Sequence, residues 1–278
     1  MENINIKTIA IDIDGTLLDS DHKILPKTKK ALLEIQDKGI QLILISGRPT
    51  RSMLSIVEEL ELSKHSGVIV SNNGSMGYDV ANEKVIYDTP IDKELVKEIL
   101  ASFKGKNIRP MVEKGEHLIV FDVYNGLIEL NGKIINVMEL EARAGDFLLR
   151  EESDIDAFVQ DRVNKILTIV DTKMIDTTIK EYRGLFGSRI HVVQSSPYYM
   201  EFVRPEVNKA YGLERLGIDK NTLMTFGDSM NDLEMLKFSK YPIAMGNAQE
   251  AVKEAAFYVT KDNDDEGIYE ALKHFHLI

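Results

Sequence analysis

Asp12 and Asp14 follow the apolar run 8–11 (TIAI) and precede Gly15 and Thr16. If the backbone stays extended, side chains two residues apart project to the same side. Two carboxylates held that close repel each other unless a cation or a proton lies between them. The same residues also make an ordinary turn, because Asp and Gly are turn formers and Asp caps helices. A second acidic group, Asp228 and Asp232 with Asn231, follows the run 222–226 (TLMTF). Ser229 and Asp232 there also have the spacing of a helix cap. Ser46, Gly47 and Arg48 close a third apolar run just before Pro49. A proline in the first turn of a helix would leave free N–H groups facing an anion, although the four residues alone read as a strand-to-helix turn. Lys209, alone, reads as a solvated helix lysine. Brought together, carboxylates, two hydroxyls and a lone lysine suit a hard cation with oxygen ligands and a phosphoryl group.

The elements that must position these residues follow a β-α-β rhythm. Helical spacing of Ala31, Leu32 and Ile35 predicts a helix over 26–38, ending at Gly39. Runs at 40–45 and 67–70 read as buried strands, with a helix over 53–62 between them. Each strand ends in small or polar residues, as expected of a doubly wound, Rossmann-like parallel sheet. Ligands bind beyond the carboxyl ends of such strands, so these ends are where chemistry is expected.

The rhythm changes near residue 80. Alternating strands are predicted at 84–88, 108–113, 118–122, 163–170, 189–194 and 199–203, with helices at 93–103, 138–144, 154–161 and 173–185. Gly115-Glu116 and the stretch 195–198 (SSPY) read as hairpin turns. Such alternation suits a sheet with one solvated side. The region 83–204 is therefore read as an inserted α+β domain, and 1–82 with 205–278 as one α/β core. The α/β rhythm resumes with a helix over 209–216, strands at 222–226, 241–245 and 258–260, and helices at 233–238, 248–255 and 267–275.

The chain of 278 residues can bury a substantial core, and its 44% hydrophobic and 28% charged residues are ordinary for a soluble globular protein. The absence of cysteine excludes disulfides and thiolate metal sites. No apolar run approaches the roughly 18–20 residues that span a bilayer, and the first residues lack a secretory pattern, so the cytoplasm is the expected compartment. A net charge of −11 argues against nucleic acid and anionic membranes as partners. An anionic substrate would need a locally positive pocket, which a dication and a few cationic side chains can supply. Composition sets no oligomeric state.

These motifs resemble those of haloacid dehalogenase-like hydrolases, and within that superfamily the Cof-type phosphatases with a large cap inserted mid-chain. DIDGTLL at 12–18, ISGRP at 45–49, Lys209 and GDSMNDLEML at 227–236 match the four family motifs in order, and SNNG at 71–74 and AMGNA at 244–248 fit the Cof-type pattern. The resemblance covers both halves of the core; the insertion carries no assignable motif. It implies a phosphatase acting on a small phosphorylated metabolite, including sugar phosphates. Asp12 would be the nucleophile and form an aspartyl-phosphate, and Asp14 the general acid and base. Asp12, Asp228 and the backbone carbonyl of Asp14 would hold Mg²⁺. Ile13, Ser46, Gly47, Lys209 and Asn231 would bind the phosphate, with Thr16, Asp232 and Arg48 in support. Asp232 would orient ligands or hold Lys209, and Arg48 would touch either the substrate or a neighbouring acid. The inserted domain would exclude bulk water and select the leaving group.

Rival readings are a phosphomutase or phosphotransferase with the same chemistry, a phospho-acceptor signalling domain, and an inactive binding module. The large insertion and the second aspartate argue against the signalling domain, and the full set of reactive residues against the inactive module. His117 and His191 read as surface or packing residues. The acidic run 262–266 lacks the spacing of a Ca²⁺ loop and reads as a solvated loop.

Overall fold

The run TIAI becomes strand β1 (Thr8–Ile11), buried along its whole length. It is followed by α1 (Pro26–Asp37), β2 (Gln41–Ile45), α2 (Leu54–Glu59), β3 (Val68–Ser71), β4 (Met76–Asp79) and β5 (Lys84–Asp88). The structure is a computed structural model that describes residues 5–130, 132–154, 159 and 162–278. Next come α3 (Lys93–Ser102), β6 (Arg109–Lys114), β7 (His117–Val120), β8 (Leu127–Leu130), β9 (Lys133–Asn136) and α4 (Val137–Ala144). They lead into β10 (Leu148–Glu151), β11 (Lys165–Ile169), α5 (Ile175–Phe186), β12 (His191–Ser196) and β13 (Tyr199–Val203). The chain closes with α6 (Lys209–Arg215), β14 (Leu223–Gly227), α7 (Leu233–Phe238), β15 (Tyr241–Ala244), α8 (Glu250–Glu254), β16 (Tyr258–Val259) and α9 (Gly267–His274).

Two compact units result, 1–88 with 208–278, and 89–207. In the first, eight strands lie in the order β16-β15-β14-β1-β2-β3-β4-β5. The six from β16 to β3 are parallel, and β4 and β5 add on antiparallel. The chain steps from β1 outward to β2 and β3, and after the insertion outward on the other side through β14 to β16. The crevice at such a reversal of strand order is where open α/β sheets bind ligands. It opens beyond the ends of β1 and β14, which run in register from Thr8 beside Leu223 to Ile11 beside Phe226.

α1 shows how the sequence builds the layers around this sheet. Its face of Ala31, Leu32 and Ile35 is buried against the core, and Gly39, at φ +83°, ends the turn. Burying a side chain such as Leu32 or Ile35 stabilises by roughly 1.5–3 kcal/mol each, more than helix propensity supplies.

Three expectations change. Strand 84–88 pairs with β4 in the first sheet, and the division falls at 88/89 and 207/208, not at 82/83 and 204/205. The hairpin of β4 and β5 carries on the core sheet, so alternation alone did not mark the domain edge. The predicted helix over 53–62 is a short 3-10 turn (Arg51–Met53) and α2, ending before Glu61 in a left-handed conformation. Pro49 thus precedes the helix and does not open it.

In 89–207 the sheet order is β10-β7-β6-β11-β13-β12, with β8 and β9 as a separate hairpin. The expected solvated face is not solvated throughout. Ile166 and Phe202 belong to one apolar cluster with α3 and α5, whereas Met111, Leu118, Val120 and Leu167 belong to another with Met138 and Ala142 of α4. The turn at Gly115-Glu116 is present, and the predicted helix over 154–161 lies largely outside the described residues. Among the described residues no helix is long and apolar enough to cross a membrane.

Candidate active site

Asp12 leaves the end of β1 with its N–H donating to the Phe226 carbonyl at 3.1 Å, which continues the parallel ladder one residue past the strand. The chain then turns sharply, with Leu17 and Leu18 N–H groups both donating to the Ile13 carbonyl at 3.0 Å. Gly15 sits at φ +78°, and a Cβ there would come within 2.7 Å of Asp228 Oδ2, so glycine is what lets this turn approach the end of β14. Ile13 itself is fully buried.

Asp12, Asp228 and Asp232 each offer a carboxylate oxygen, all within 4.8 Å of one another. Lys209, the first residue of α6, is fully buried and donates from Nζ to Asp12 Oδ1 and, at 2.5 Å, to Asp232 Oδ1. Burial alone would lower the Lys209 ammonium, but Asp12 and Asp232 outweigh it and hold it above its ordinary value. Burial and the nearby Asp232 push the Asp12 carboxyl well above the usual carboxylate range, with Lys209 pulling the other way. Burial likewise raises Asp228, while the hydrogen bond from Thr16 opposes the rise.

The supporting residues divide these tasks. Thr16 Oγ1 donates to Asp228 Oδ1 at 2.8 Å. Asp232 Oδ2 accepts the N–H groups of Asp228 and Ser229, each at 3.0 Å, while Oδ1 takes Lys209. The helix-cap reading of Ser229 and Asp232 holds, and the same Asp232 carboxylate also takes Lys209. With both Asp232 oxygens engaged by the protein, Asp12 and Asp228 are the carboxylates that fit a cation. Their donor set is oxygen only, and close like charges in a buried setting suit a hard dication.

Ser46 is buried at the end of β2, its Oγ accepting the Arg48 N–H at 3.1 Å. Arg48 meets a neighbouring acid: Nε and Nη2 donate to the two oxygens of Asp14 at 2.7 and 2.5 Å. The pair is partly exposed, 27% for Arg48 and 49% for Asp14. The Asp14 side chain is therefore outside the carboxylate cluster. Gly47 lies against the Asn73 side chain, and exposed Asn231 donates from Nδ2 to Asn73 Oδ1 at 3.3 Å.

Two residues beyond the predicted set belong to this end of the sheet. Asn73 joins Gly47 to Asn231, and Asn247 Nδ2 donates to the Gly15 carbonyl at 2.8 Å. Both stand in the motifs SNNG and AMGNA, where asparagine beside glycine at a strand end was the available signal. The acidic run 262–266 is also more than a solvated loop. Asp264 accepts from the Ser20 N–H and Oγ at 2.7 Å each, and Glu266 accepts from the Lys27 and Thr28 N–H groups.

The chain matches the family of haloacid dehalogenase-like hydrolases over residues 9–272. It is 28% identical to the 5-amino-6-(5-phospho-D-ribitylamino)uracil phosphatase YcsE of Bacillus subtilis, across 99% of this chain and 98% of that protein. A solved haloacid dehalogenase-like hydrolase from Bacteroides thetaiotaomicron aligns with a TM-score of 0.87 and 29% identity, over 97% of this chain and 99% of that one. The HAD subclass IIB sugar phosphatase BT4131 aligns with a TM-score of 0.78 and 25% identity, over 98% and 100%. With the split sheet and the motifs in order at its ligand-binding end, the chain belongs to the haloacid dehalogenase-like hydrolase family, as an enzyme of its Cof-type phosphatase branch.

Proposed function

We propose that the protein is a Mg²⁺-dependent phosphomonoesterase for small phosphorylated metabolites, sugar phosphates among them, working through an aspartyl-phosphate on Asp12. The observation that carries this reading is the buried Lys209 bridging Asp12 and Asp232, with Asp228 beside them. A carboxylate oxygen of Asp12 attacks phosphorus, the ester P–O bond breaks, and the leaving oxygen takes a proton from Asp14. Asp14 then removes a proton from water, which attacks the phosphorus of the aspartyl-phosphate and returns Asp12 and inorganic phosphate. Lys209, the Ser46 hydroxyl, Asn231 and the backbone N–H groups of Ile13 and Gly47 hold the transferring oxygens, where positioning and charge supply most of the catalysis.

Asp12, Asp228 and the Asp14 carbonyl would hold Mg²⁺, whose charge lets an anionic nucleophile meet an anionic phosphate. Arg48 pairs with Asp14 in the resting protein, and once parted from Arg48 the Asp14 carboxylate takes from solvent the proton that it then gives to the leaving oxygen. Because that pair is partly exposed, parting it costs little, which frees Asp14 for proton transfer. Selection of the leaving group is assigned to residues 89–207. The small phosphorylated compound in the name of the Bacillus relative and the sugar phosphatase neighbour support a metabolite as substrate. Purified protein with Mg²⁺ should release phosphate from an aryl phosphate, and Asp12→Asn should reduce release to background. Unchanged turnover in that variant would sink the nucleophile assignment.

A further inference from the structure

The turn 71–74 (SNNG) at the end of β3 touches the Ser46–Arg48 loop, Asn231 and the start of α6, and has no role in the mechanism above. Three successive residues in it have positive φ: Asn72 at +50°, Asn73 at +55° and Gly74 at +105°. The left-handed region disfavours any residue with a Cβ, and asparagine tolerates it better than most. Two such residues in a row, followed by glycine, persist only where surrounding contacts hold them. Asn72 N–H donates to the Arg48 carbonyl at 3.0 Å, and Asn73 N–H to the Ser46 carbonyl at 2.9 Å. A Cβ on Gly74 would lie 2.0 Å from the carbonyl oxygen of Asn208, the residue before Lys209. A Cβ on Gly47 would lie 3.1 Å from both polar atoms of the Asn73 carboxamide.

The contact with Asn231 gives this turn a consequence for chemistry. Asn231 is exposed, and an exposed carboxamide on a free side chain samples many orientations. Here its Oδ1 accepts from Ser229 Oγ at 2.7 Å, while its Nδ2 donates to Asn73 Oδ1 at 3.3 Å. With one partner on each end, the carboxamide has a defined direction, and Nδ2 keeps a second N–H to give. A glycine at position 73 would satisfy the left-handed backbone with less strain, but it has no acceptor for Asn231.

We propose that Asn73 is a positioning residue: its carboxamide aims Asn231 at the transferring phosphoryl group, and its left-handed backbone holds the Ser46–Gly47 loop beside the same anion. This rests on the phosphomonoesterase reading above. The test is a double-mutant cycle of Asn73→Gly and Asn231→Ala, read in aryl phosphate turnover and in calorimetric titration with inorganic phosphate, both with Mg²⁺. Asn73→Gly keeps the backbone conformation and should lower kcat/KM about tenfold, mostly in kcat, the size of one lost hydrogen bond. Its melting temperature should be equal or higher. Asn231→Ala should lose a similar factor, and the double variant should lose no more than the larger single loss. Additive losses, or unchanged turnover in Asn73→Gly, overturn the positioning role. Wild-type protein that binds inorganic phosphate but releases none from the ester sinks the phosphatase reading alone, and the cycle is then decided by phosphate affinity. Wild-type protein that neither binds phosphate nor releases it from the ester overturns both.

Discussion

Asp12, Asp228 and Asp232 bring three like charges within a few ångströms, and Lys209 opposes them from inside the same cluster. Folding thus disfavours the ionised form of Asp12, through burial first and Asp232 second. The sign of the pH effect follows from this raised value. Where the group is protonated in both folded and unfolded protein, at acid pH, there is no penalty. The penalty develops as pH rises through the carboxyl range toward the raised folded value. In chelator-treated protein, Asp12→Asn should therefore raise the melting temperature, by an amount that grows from acid to neutral pH. Thermal melts across that range check it, and a difference that shrinks with pH would refute the burial argument. Lys209→Met leaves two buried carboxyls without their cation. It should cost about 3–5 kcal/mol in urea unfolding, the range for breaking a buried pair by removing one partner.

At the scale of elements, α1 depends on a residue far away in the chain. It opens with Pro26 at its first turn and has no side-chain cap from the preceding residue. Glu266, itself left-handed at φ +58°, supplies the missing acceptor, taking the Thr28 N–H and Oγ1 at 2.7 Å each and the Lys27 N–H at 3.0 Å. A carboxylate at this end of a helix also meets the favourable end of its dipole. Glu266→Ala should cost about 0.5–2 kcal/mol, as loss of an N-cap does, and appear as a lower melting temperature with near-normal turnover. A lost turnover with unchanged stability would instead give Glu266 a part in the chemistry.

At the scale of the whole molecule, the net charge of −11 is the wrong sign for an anionic substrate, so the solution must be local. Lys209 supplies part of it where strand order reverses, and the proposed dication would supply the rest. A cation that binds only the folded protein stabilises it by mass action, about 2.7 kcal/mol at a hundredfold excess over Kd. Chelation should abolish turnover and lower the melting temperature, and Mg²⁺ should restore both. In Asp228→Asn the melting temperature should stop responding to Mg²⁺. A full response in that variant would remove Asp228 from the metal site.

The sequence by itself determined the α/β class, the split core and which residues could share a phosphoryl site. Apolar runs ending in Asp12, Ser46 and Asp228 are local signals, and a parallel sheet brings such ends to one edge whatever lies between them. It also determined α1, because the spacing of Ala31, Leu32 and Ile35 defines a buried face without knowledge of its partner. Only the tertiary structure decided the pairings. Lys209 meets Asp12 across 197 residues of chain and Thr16 meets Asp228 across 212, distances over which periodicity carries no information. The same holds for Arg48, whose choice of Asp14 depends on how two loops face each other, and for Glu266, whose helix-capping role looked like solvated charge. The edge of the core sheet was hidden too, since strand 84–88 alternates as much as an insertion strand would, and only its pairing with β4 shows where it belongs. Residue type and order show what chemistry is available. Close contact between distant segments decides which atom performs each part of it.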